Sequence, residues 1–337
     1  VMAGRLPEAW HEALAALKAE TAERRPTLAT RQASEQTLAA LAPSVPELVG
    51  GSAEPTGANL TLVQGMGNVA AGNYRGRYIH YGAREHAMAA ALNGMALHGG
   101  IIPFAATGLA FSDYMRPALR LAALAGRRVI HVLTYDGIGL GEDGPVHQPL
   151  GHLASLRAMP DVYVFRPADA METAECWELA LRRAEGPSVM VLTGQPVPAL
   201  RTDAAENRSA RGGYVLAEAE GPRQATLIAS GSEVSIALAA REALAGGGIA
   251  AAVVSLPCWK LFGQQDGAYL ASVLGGVPRF GIEAAIGFGW ERWLGDDGSF
   301  IGMSGAGRSA PFEELEQPVG VTPEAVTAEV TKRLRRE

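Results

Sequence analysis

The sequence predicts an α/β protein with two parallel-sheet α/β domains. Two observations lead to this prediction. Apolar stretches of strand length alternate with stretches of helical period, a pattern typical of parallel sheets covered by helices on both faces. A polar segment from Val197 to Arg211 interrupts the alternation, which then resumes in a smaller unit. We therefore predict an N-terminal helical linker over 1–25, a first domain over 26–196, a linker over 197–215 and a second domain over 216–337.

The elements of the first domain follow from periodicity and from the residues that stop each element. Helices are predicted over 8–24, which Pro26 ends, and over 33–41, before Pro43. Further helices are predicted over 85–98, which Gly99 and Gly100 close, and over 112–125 and 170–184. The predicted strands are 47–51, 78–81, 101–105, 128–134, 162–165 and 188–192.

The second domain repeats this pattern on a smaller scale. Apolar runs predict strands over 225–230, 250–255 and 279–282, and helical periodicity predicts helices over 233–245, 264–273 and 322–334. We find no internal repeats and no low-complexity tracts.

Composition excludes several classes of protein. Of the 337 residues, 48% are hydrophobic and 19% are charged, which is a globular and not a disordered composition. A net charge of −6 argues against a nucleic-acid-coating protein. Cys176 and Cys258 are too few for a disulfide scaffold and too distant for structural zinc, so we expect packed thiols. No apolar run approaches the ~18 residues that span a bilayer, so we expect a cytoplasmic protein. The Val1-Met2 start suggests either a trimmed start or one half of something longer.

The loop over 135–149 is the first candidate site. It follows a buried strand, and ligands of parallel α/β sheets bind at the carboxyl ends of strands. Among its glycines lie Glu142, Asp143 and His147, side chains suited to proton transfer. The alternative interpretation is a glycine-rich connection with a solvated acidic tip.

Glu85, at the start of a predicted helix, is the second candidate. An acidic residue in the first turn can simply complement the helix dipole. It can also be a carboxyl group that holds or donates a proton, and the residues alone leave both interpretations open.

Several segments together resemble the transketolase family. The resemblance runs collinearly over essentially the whole chain. The matching segments are Tyr81-Gly-Ala-Arg-Glu-His-Ala-Met88, Gly139-Leu-Gly-Glu-Asp-Gly-Pro-Val-His-Gln-Pro149, Gly50-Gly-Ser-Ala-Glu54, Phe165-Arg-Pro-Ala-Asp169, Ile228-Ala-Ser-Gly-Ser-Glu-Val234, Pro257-Cys-Trp259 and Phe288-Gly-Trp-Glu-Arg292.

This resemblance implies a cofactor and a partner. Transketolases use thiamine diphosphate and a divalent cation to move a two-carbon ketol unit between sugars, and this chain resembles their aminopyrimidine-binding and C-terminal domains. The diphosphate and metal motif, Gly-Asp-Gly followed later by Asn, is missing: the nearest match is Gly295-Asp-Asp-Gly298, and no Asn follows Asn207. We therefore expect no metal site here. A separate chain should carry the diphosphate domain and hold Mg²⁺ or Ca²⁺, around a homodimer core in an α2β2 assembly.

The resemblance also implies roles for particular residues. Glu85 matches the glutamate that hydrogen-bonds the aminopyrimidine ring nitrogen, where a shared proton favours the reactive tautomer of the cofactor. Phe111 and Tyr114 match aromatic residues of the pyrimidine pocket, with core packing as the alternative. His147 matches a histidine near the substrate oxygen, and Asp143 an aspartate that hydrogen-bonds a substrate hydroxyl.

Departures from the family pattern concern both ends of the expected site. An aromatic residue of the pyrimidine pocket is replaced by Gly108, and the cofactor-binding aspartate by Glu54. Of the four residues that bind the substrate phosphate, the resemblance retains only Arg31. The serine, histidine and second arginine positions hold Ala58, Tyr135 and Gly194.

These departures predict a changed substrate. One arginine is a weak substitute for four phosphate-binding groups, so we expect a donor such as hydroxypyruvate or an unphosphorylated ketose. The alternative is that Arg75 and Arg308 compensate. Two other functions stay open: another thiamine-diphosphate reaction, such as acyl transfer to a carrier protein, and a non-catalytic scaffold or regulatory paralogue.

Overall fold

The computed structural model describes residues 6–53, 56–137, 147–303 and 320–335. Its first α/β unit contains a parallel sheet of six strands in the order β3-β2-β4-β5-β7-β6. Two further short strands, β1 and β8, pair antiparallel beside it. The strands are β1 (Leu28–Ala29), β2 (Leu48–Ser52), β3 (Tyr78–His80), β4 (Ile102–Gly108), β5 (Ile130–Thr134), β6 (Tyr163–Phe165), β7 (Ser188–Leu192) and β8 (Pro196–Val197).

Helices cover both faces of this sheet. Helix α4 (Glu85–His98) has the predicted bounds. It ends at Gly99, whose φ of 81° a glycine adopts without strain. The second helix starts earlier than predicted, at Thr30 instead of Ala33, because the Gln32 side chain accepts the Ala29 N–H at 3.1 Å. The helices are α1 (Ala9–Arg24), α2 (Thr30–Leu41), α3 (Thr56–Asn59), α4 (Glu85–His98), α5 (Ser112–Leu124), α6 (His152–Arg157) and α7 (Ala170–Arg182).

The second unit holds a sheet of five strands in the order β13-β12-β10-β11-β9, parallel except for β9. The pattern predicted its three central strands but missed both edges, β9 and β13. These two are only partly buried and contain or follow glycines, so they lack a continuous apolar run. The elements are β9 (Tyr214–Ala217), β10 (Ala225–Ala229), α8 (Glu233–Gly246), β11 (Ala251–Ser255), α9 (Trp259–Phe262), α10 (Gly267–Leu274), β12 (Arg279–Ile286), α11 (Glu291–Leu294), β13 (Ser299–Met303) and α12 (Pro323–Leu334).

The main core of the first unit lies between its sheet and the helices α1, α2 and α7. Trp177 is fully buried there, donates its indole N–H to Ser34 Oγ at 2.8 Å, and meets the Phe104 ring edge-on at 6.2 Å. A side chain at Gly50 would overlap the Phe104 ring, so glycine is required at this point of β2. Cys176 and Cys258 are free and buried in the same core, as the sequence predicted.

The segment between the two sheets is tied to α7 by a buried carboxylate. Glu175 accepts hydrogen bonds from the Ser209 hydroxyl at 2.7 Å and from the backbone N–H groups of Arg208 and Ser209. Its ion pairs with Arg201 and Lys18 neutralise the charge. This polar stretch is therefore ordered against the first unit.

Candidate active site

The carboxyl edge of the first sheet collects the predicted site residues. All six strands run parallel, so their carboxyl ends meet at one edge. Glu85 follows β3, Ala58 follows β2, and Phe111 and Tyr114 follow β4. Tyr135 and His147 follow β5, and Gly194 follows β7. Residues far apart in the sequence thus share one edge of the sheet.

An aromatic group forms one part of this edge. The Phe111 and Tyr114 ring centroids lie 6.3 Å apart at a tilt of 31°, and the His147 ring meets Phe111 edge-on at 5.7 Å. Phe111 is half-buried, whereas Tyr114 is 65% exposed. The second interpretation of these two aromatics, core packing, therefore does not describe Tyr114.

Glu85 opens α4 and is only partly buried. Its carboxylate lies at the positive end of the helix dipole, where a negative charge is stabilised. Being partly exposed, the carboxylate remains accessible to a ligand, so both interpretations from the sequence fit its position.

Gly108, at the end of β4, is covered by Phe111. A Cβ at this position would lie 3.3 Å from the Phe111 ring, tighter than most such contacts. The ring therefore takes part of the space that a side chain at 108 would need. An aromatic residue at this position would have to displace Phe111.

Arg31, Ala58, Tyr135 and Gly194 come together at another part of the edge. Arg31 Nη1 donates to the Ala58 carbonyl oxygen and to Tyr135 Oη, both at 2.9 Å, and its guanidinium lies 5.1 Å from the centre of the Tyr135 ring. A Cβ on Gly194 would lie 3.4 Å from the Tyr135 ring and 3.8 Å from Arg31 Nε. The three substituted positions therefore surround the retained arginine.

The hydrogen bonds of Arg31 leave part of its guanidinium available. Its Nε is buried and, among the residues that the structure describes, has no hydrogen-bond partner. Tyr135 has a φ of 62°, a conformation that costs a non-glycine residue about 1–3 kcal/mol. Such strained positions cluster at functional sites.

A polar link that sequence reasoning missed joins two strands below the site. Asn59 Nδ2 donates to Ser52 Oγ at 2.8 Å, and Thr134 Oγ1 donates to Asn59 Oδ1 at 2.7 Å. All three side chains are buried. Ser52 and Thr134 end buried strands and Asn59 ends α3, a polar signal that becomes meaningful only when the strand order is known.

Four residues named from the sequence lie outside the described residues: Asp143, Glu54, Glu142 and Arg308. Arg75, the other arginine considered as compensation, is exposed in the segment between α3 and β3. In the part of the chain that is described, no helix is long and apolar enough to cross a membrane.

The fold defines a two-unit α/β protein whose candidate site lies at the carboxyl ends of its first sheet. Family models identify the two units: residues 26–198 match the transketolase pyrimidine-binding domain, and residues 212–322 match the transketolase-like C-terminal domain. The chain belongs to the transketolase family.

The similar proteins are transketolases. Those of Sinorhizobium medicae and Cereibacter sphaeroides are 56% identical over 311 residues and 53% identical over 323 residues. The matches cover 92% and 96% of this chain but 45% and 49% of the relatives, so the chain spans about half their length.

The solved structures that this fold resembles are also transketolases. Transketolase from Leishmania mexicana has a TM-score of 0.90 and 41% identity, over 99% of this chain and 48% of that one. A split-gene transketolase, described as an inactive β4 tetramer, has a TM-score of 0.76 and 26% identity, over 91% of this chain and 99% of that chain.

Proposed function

We propose that this chain is a subunit of a thiamine-diphosphate-dependent transferase that moves a two-carbon ketol unit. The observation that carries the proposal is the common edge of Glu85, Phe111, Tyr114 and His147 at the carboxyl ends of parallel strands. Membership of the transketolase family implies thiamine diphosphate with a divalent metal. When bound, this cofactor supplies the carbon that carries the ketol unit.

The residues of this edge fit an aminopyrimidine ring. An exposed Tyr114 ring beside Phe111 offers apolar surface to a flat heteroaromatic group. Glu85 is partly exposed, so its carboxyl group can share a proton with a ring nitrogen. Its position at the start of α4 fixes the carboxyl group on a rigid element.

The remaining residues would act on the substrate. His147 is held edge-on against Phe111, so its ring is oriented by the same aromatic group that would pack against the pyrimidine. A histidine so placed can exchange a proton with a substrate oxygen. Asp143 would accept a hydrogen bond from a substrate hydroxyl, and Glu54 would contact the cofactor.

A separate chain would supply the diphosphate domain and the metal ligands. Within the described residues, no group of three or more His, Cys, Asp or Glu side chains could hold a metal ion. The similarity to a split-gene transketolase, of which the match covers 99%, supports a divided enzyme. Exposed Leu97 on α4 and Leu121 and Leu124 on α5 provide apolar surface for another subunit, consistent with an α2β2 assembly.

The substrate would be a donor without a phosphate group, such as hydroxypyruvate or an unphosphorylated ketose. Arg31 already donates to Ala58 and Tyr135, and neither position offers a cation to a phosphate. Gly194 adds no side-chain donor. At these four positions a dianion would therefore meet one arginine.

The test is reconstitution with a chain that carries the diphosphate domain, thiamine diphosphate and Mg²⁺. We expect Glu85→Gln to abolish turnover because the amide cannot transfer the proton, whereas Glu12→Gln on the exposed face of α1 should leave the rate unchanged. A rate unchanged by Glu85→Gln would contradict the role of Glu85, and no turnover by the unmodified reconstituted pair would favour the scaffold function. A much higher kcat/KM for xylulose 5-phosphate than for hydroxypyruvate would contradict the proposed substrate class.

A further inference from the structure

Two buried arginines of the first unit enter the carboxyl edge of the second sheet. Arg166 directly follows β6, and Arg157 ends α6. Both contact Ser230 and Glu283, and Arg166 also contacts Glu233. Ser230 follows β10, Glu233 begins α8 and Glu283 lies in β12. In α/β sheets this edge is the usual place for a ligand.

Arg166 connects the two units through three of its nitrogen atoms. Its Nε and Nη2 lie 2.9 Å from Asp136 Oδ2 in the first unit. Its Nη1 donates to the Ser230 carbonyl oxygen at 2.6 Å and to the Glu233 carboxylate in the second unit. Gly231, with a φ of 62°, permits this approach, because a Cβ there would lie 2.7 Å from the guanidinium carbon.

Arg157 makes a second connection between the units through Glu283, a carboxylate that accepts several hydrogen bonds. Its Nη1 and Nη2 donate to Glu283 at 2.7 and 2.8 Å, and Ser230 Oγ and Trp290 Nε1 donate to the same carboxylate. Burial alone raises the pKa of Glu283, but the two arginines and these hydrogen bonds lower it to about 2. The carboxylate is therefore ionised and anchors both arginines.

Asp136 directly follows Tyr135 in the chain. The ion pair between Asp136 and Arg166 is therefore adjacent to the candidate site. Tyr135 holds its strained left-handed conformation between two fixed points: its own hydroxyl, which accepts from Arg31, and the Asp136 carboxylate, which accepts from Arg166. A conformation of this kind persists only where neighbouring contacts determine it.

We propose that Arg166, held by Glu233 of the second unit, is a positioning residue that fixes the backbone at Tyr135 and Asp136 and thereby orients Arg31. The second unit thus uses its carboxyl edge to support the first unit's site. The functional consequence rests on the proposed ketol transfer, whereas the structural part stands without it.

Hydrogen exchange of the full chain tests the structural part. We expect Arg166→Met to accelerate exchange at residues 135–137 at least tenfold, with no change in the middle of α4. Arg201→Met is the matched control, because Arg201 is also a buried arginine paired with a carboxylate, Glu175, but touches neither Tyr135 nor Asp136. It should leave exchange at 135–137 unchanged.

A milder variant keeps the proposal testable when Arg166→Met does not fold. Glu233→Gln retains Arg166 and its contact with Asp136 but removes the charge supplied by the second unit, and we expect a smaller acceleration at 135–137. Unchanged exchange there in every variant that folds, or an equal change in Arg201→Met, would overturn the proposal.

The functional part is read in the reconstituted enzyme. There we expect Glu233→Gln to raise the KM for the donor several-fold with little change in kcat, and Glu233→Asp to restore part of the affinity. Equal losses in kcat and kcat/KM would contradict positioning through Arg31. An inactive unmodified enzyme would contradict the proposed function alone, since the exchange result is independent of turnover.

Discussion

Gly194→Arg tests whether the missing phosphate-binding groups determine the substrate. A side chain at this position starts in ordinary contact with its surroundings, because its Cβ would lie 3.4 Å from the Tyr135 ring and 3.8 Å from Arg31 Nε. The backbone there is not in the left-handed region, so a side chain causes no strain. The new guanidinium would thus enter the group formed by Arg31, Ala58 and Tyr135.

The expected magnitude follows from two opposing terms. A charge-assisted hydrogen bond to a phosphate contributes about 1.5–3 kcal/mol. Repulsion between two guanidinium groups about 4 Å apart opposes this by roughly 1 kcal/mol where water screens the pair, and the bound dianion offsets it. The net gain of about 1–2 kcal/mol corresponds to roughly a tenfold higher kcat/KM for a phosphorylated donor.

Steady-state kinetics of the reconstituted enzyme measure this effect. The ratio of kcat/KM for xylulose 5-phosphate to that for hydroxypyruvate should rise about tenfold in Gly194→Arg. Gly194→Met, similar in length but uncharged, should leave the ratio unchanged. No rise in the ratio, or the same rise in both variants, would refute the reasoning that the lost cation sets the preference.

Two further predictions concern stability. Burial lowers the pKa of His131 in β5 from 6.5 to about 4, so the unfolded chain binds the proton more tightly, and stability falls as pH drops from about 6.5 towards 4. The free energy of unfolding, measured by chemical denaturation, should be about 2 kcal/mol lower at pH 5 than at pH 7.5 because of this group. The His131→Leu variant should not show this difference, whereas a substitution of the exposed His98 should still show it. Gly50→Ala should destabilise the chain by roughly 2–3 kcal/mol, because the alanine Cβ would overlap the Phe104 ring. Gly94→Ala is the control and should not destabilise it, because the space around its Cβ is open. Equal unfolding free energies for the two variants would contradict the packing argument.

Local patterns predicted the elements that carry their own signals. Gly99 ends α4 where the sequence indicates, and the apolar runs of β5 and β7 are buried strands. The start of α2 was wrong by three residues, because its first turn is stabilised by the Gln32 side chain and not by an apolar period. This error mattered, because Arg31 lies in that first turn.

The candidate site was only partly predictable. Glu85 and His147 were candidates from the residues alone, the resemblance supplied their roles and added Phe111, and their places at one edge follow from parallel strands. Asp136 lies in the candidate loop and Arg166 in a segment that carries the resemblance, but neither was given a role from the sequence. An isolated aspartate in a loop and an arginine before a proline are ordinary until folding brings them within 2.9 Å.

The sequence by itself determined the fold class, the two α/β units and the family, because these depend on local periodicity and on motifs that can be read in order. Only the tertiary structure decided which side chains meet. Arg31 contacts Tyr135 across 104 positions of the chain, and Arg166 contacts Glu233 across 67. Such contacts depend on strand order and on where the two units touch, and a linear pattern encodes neither.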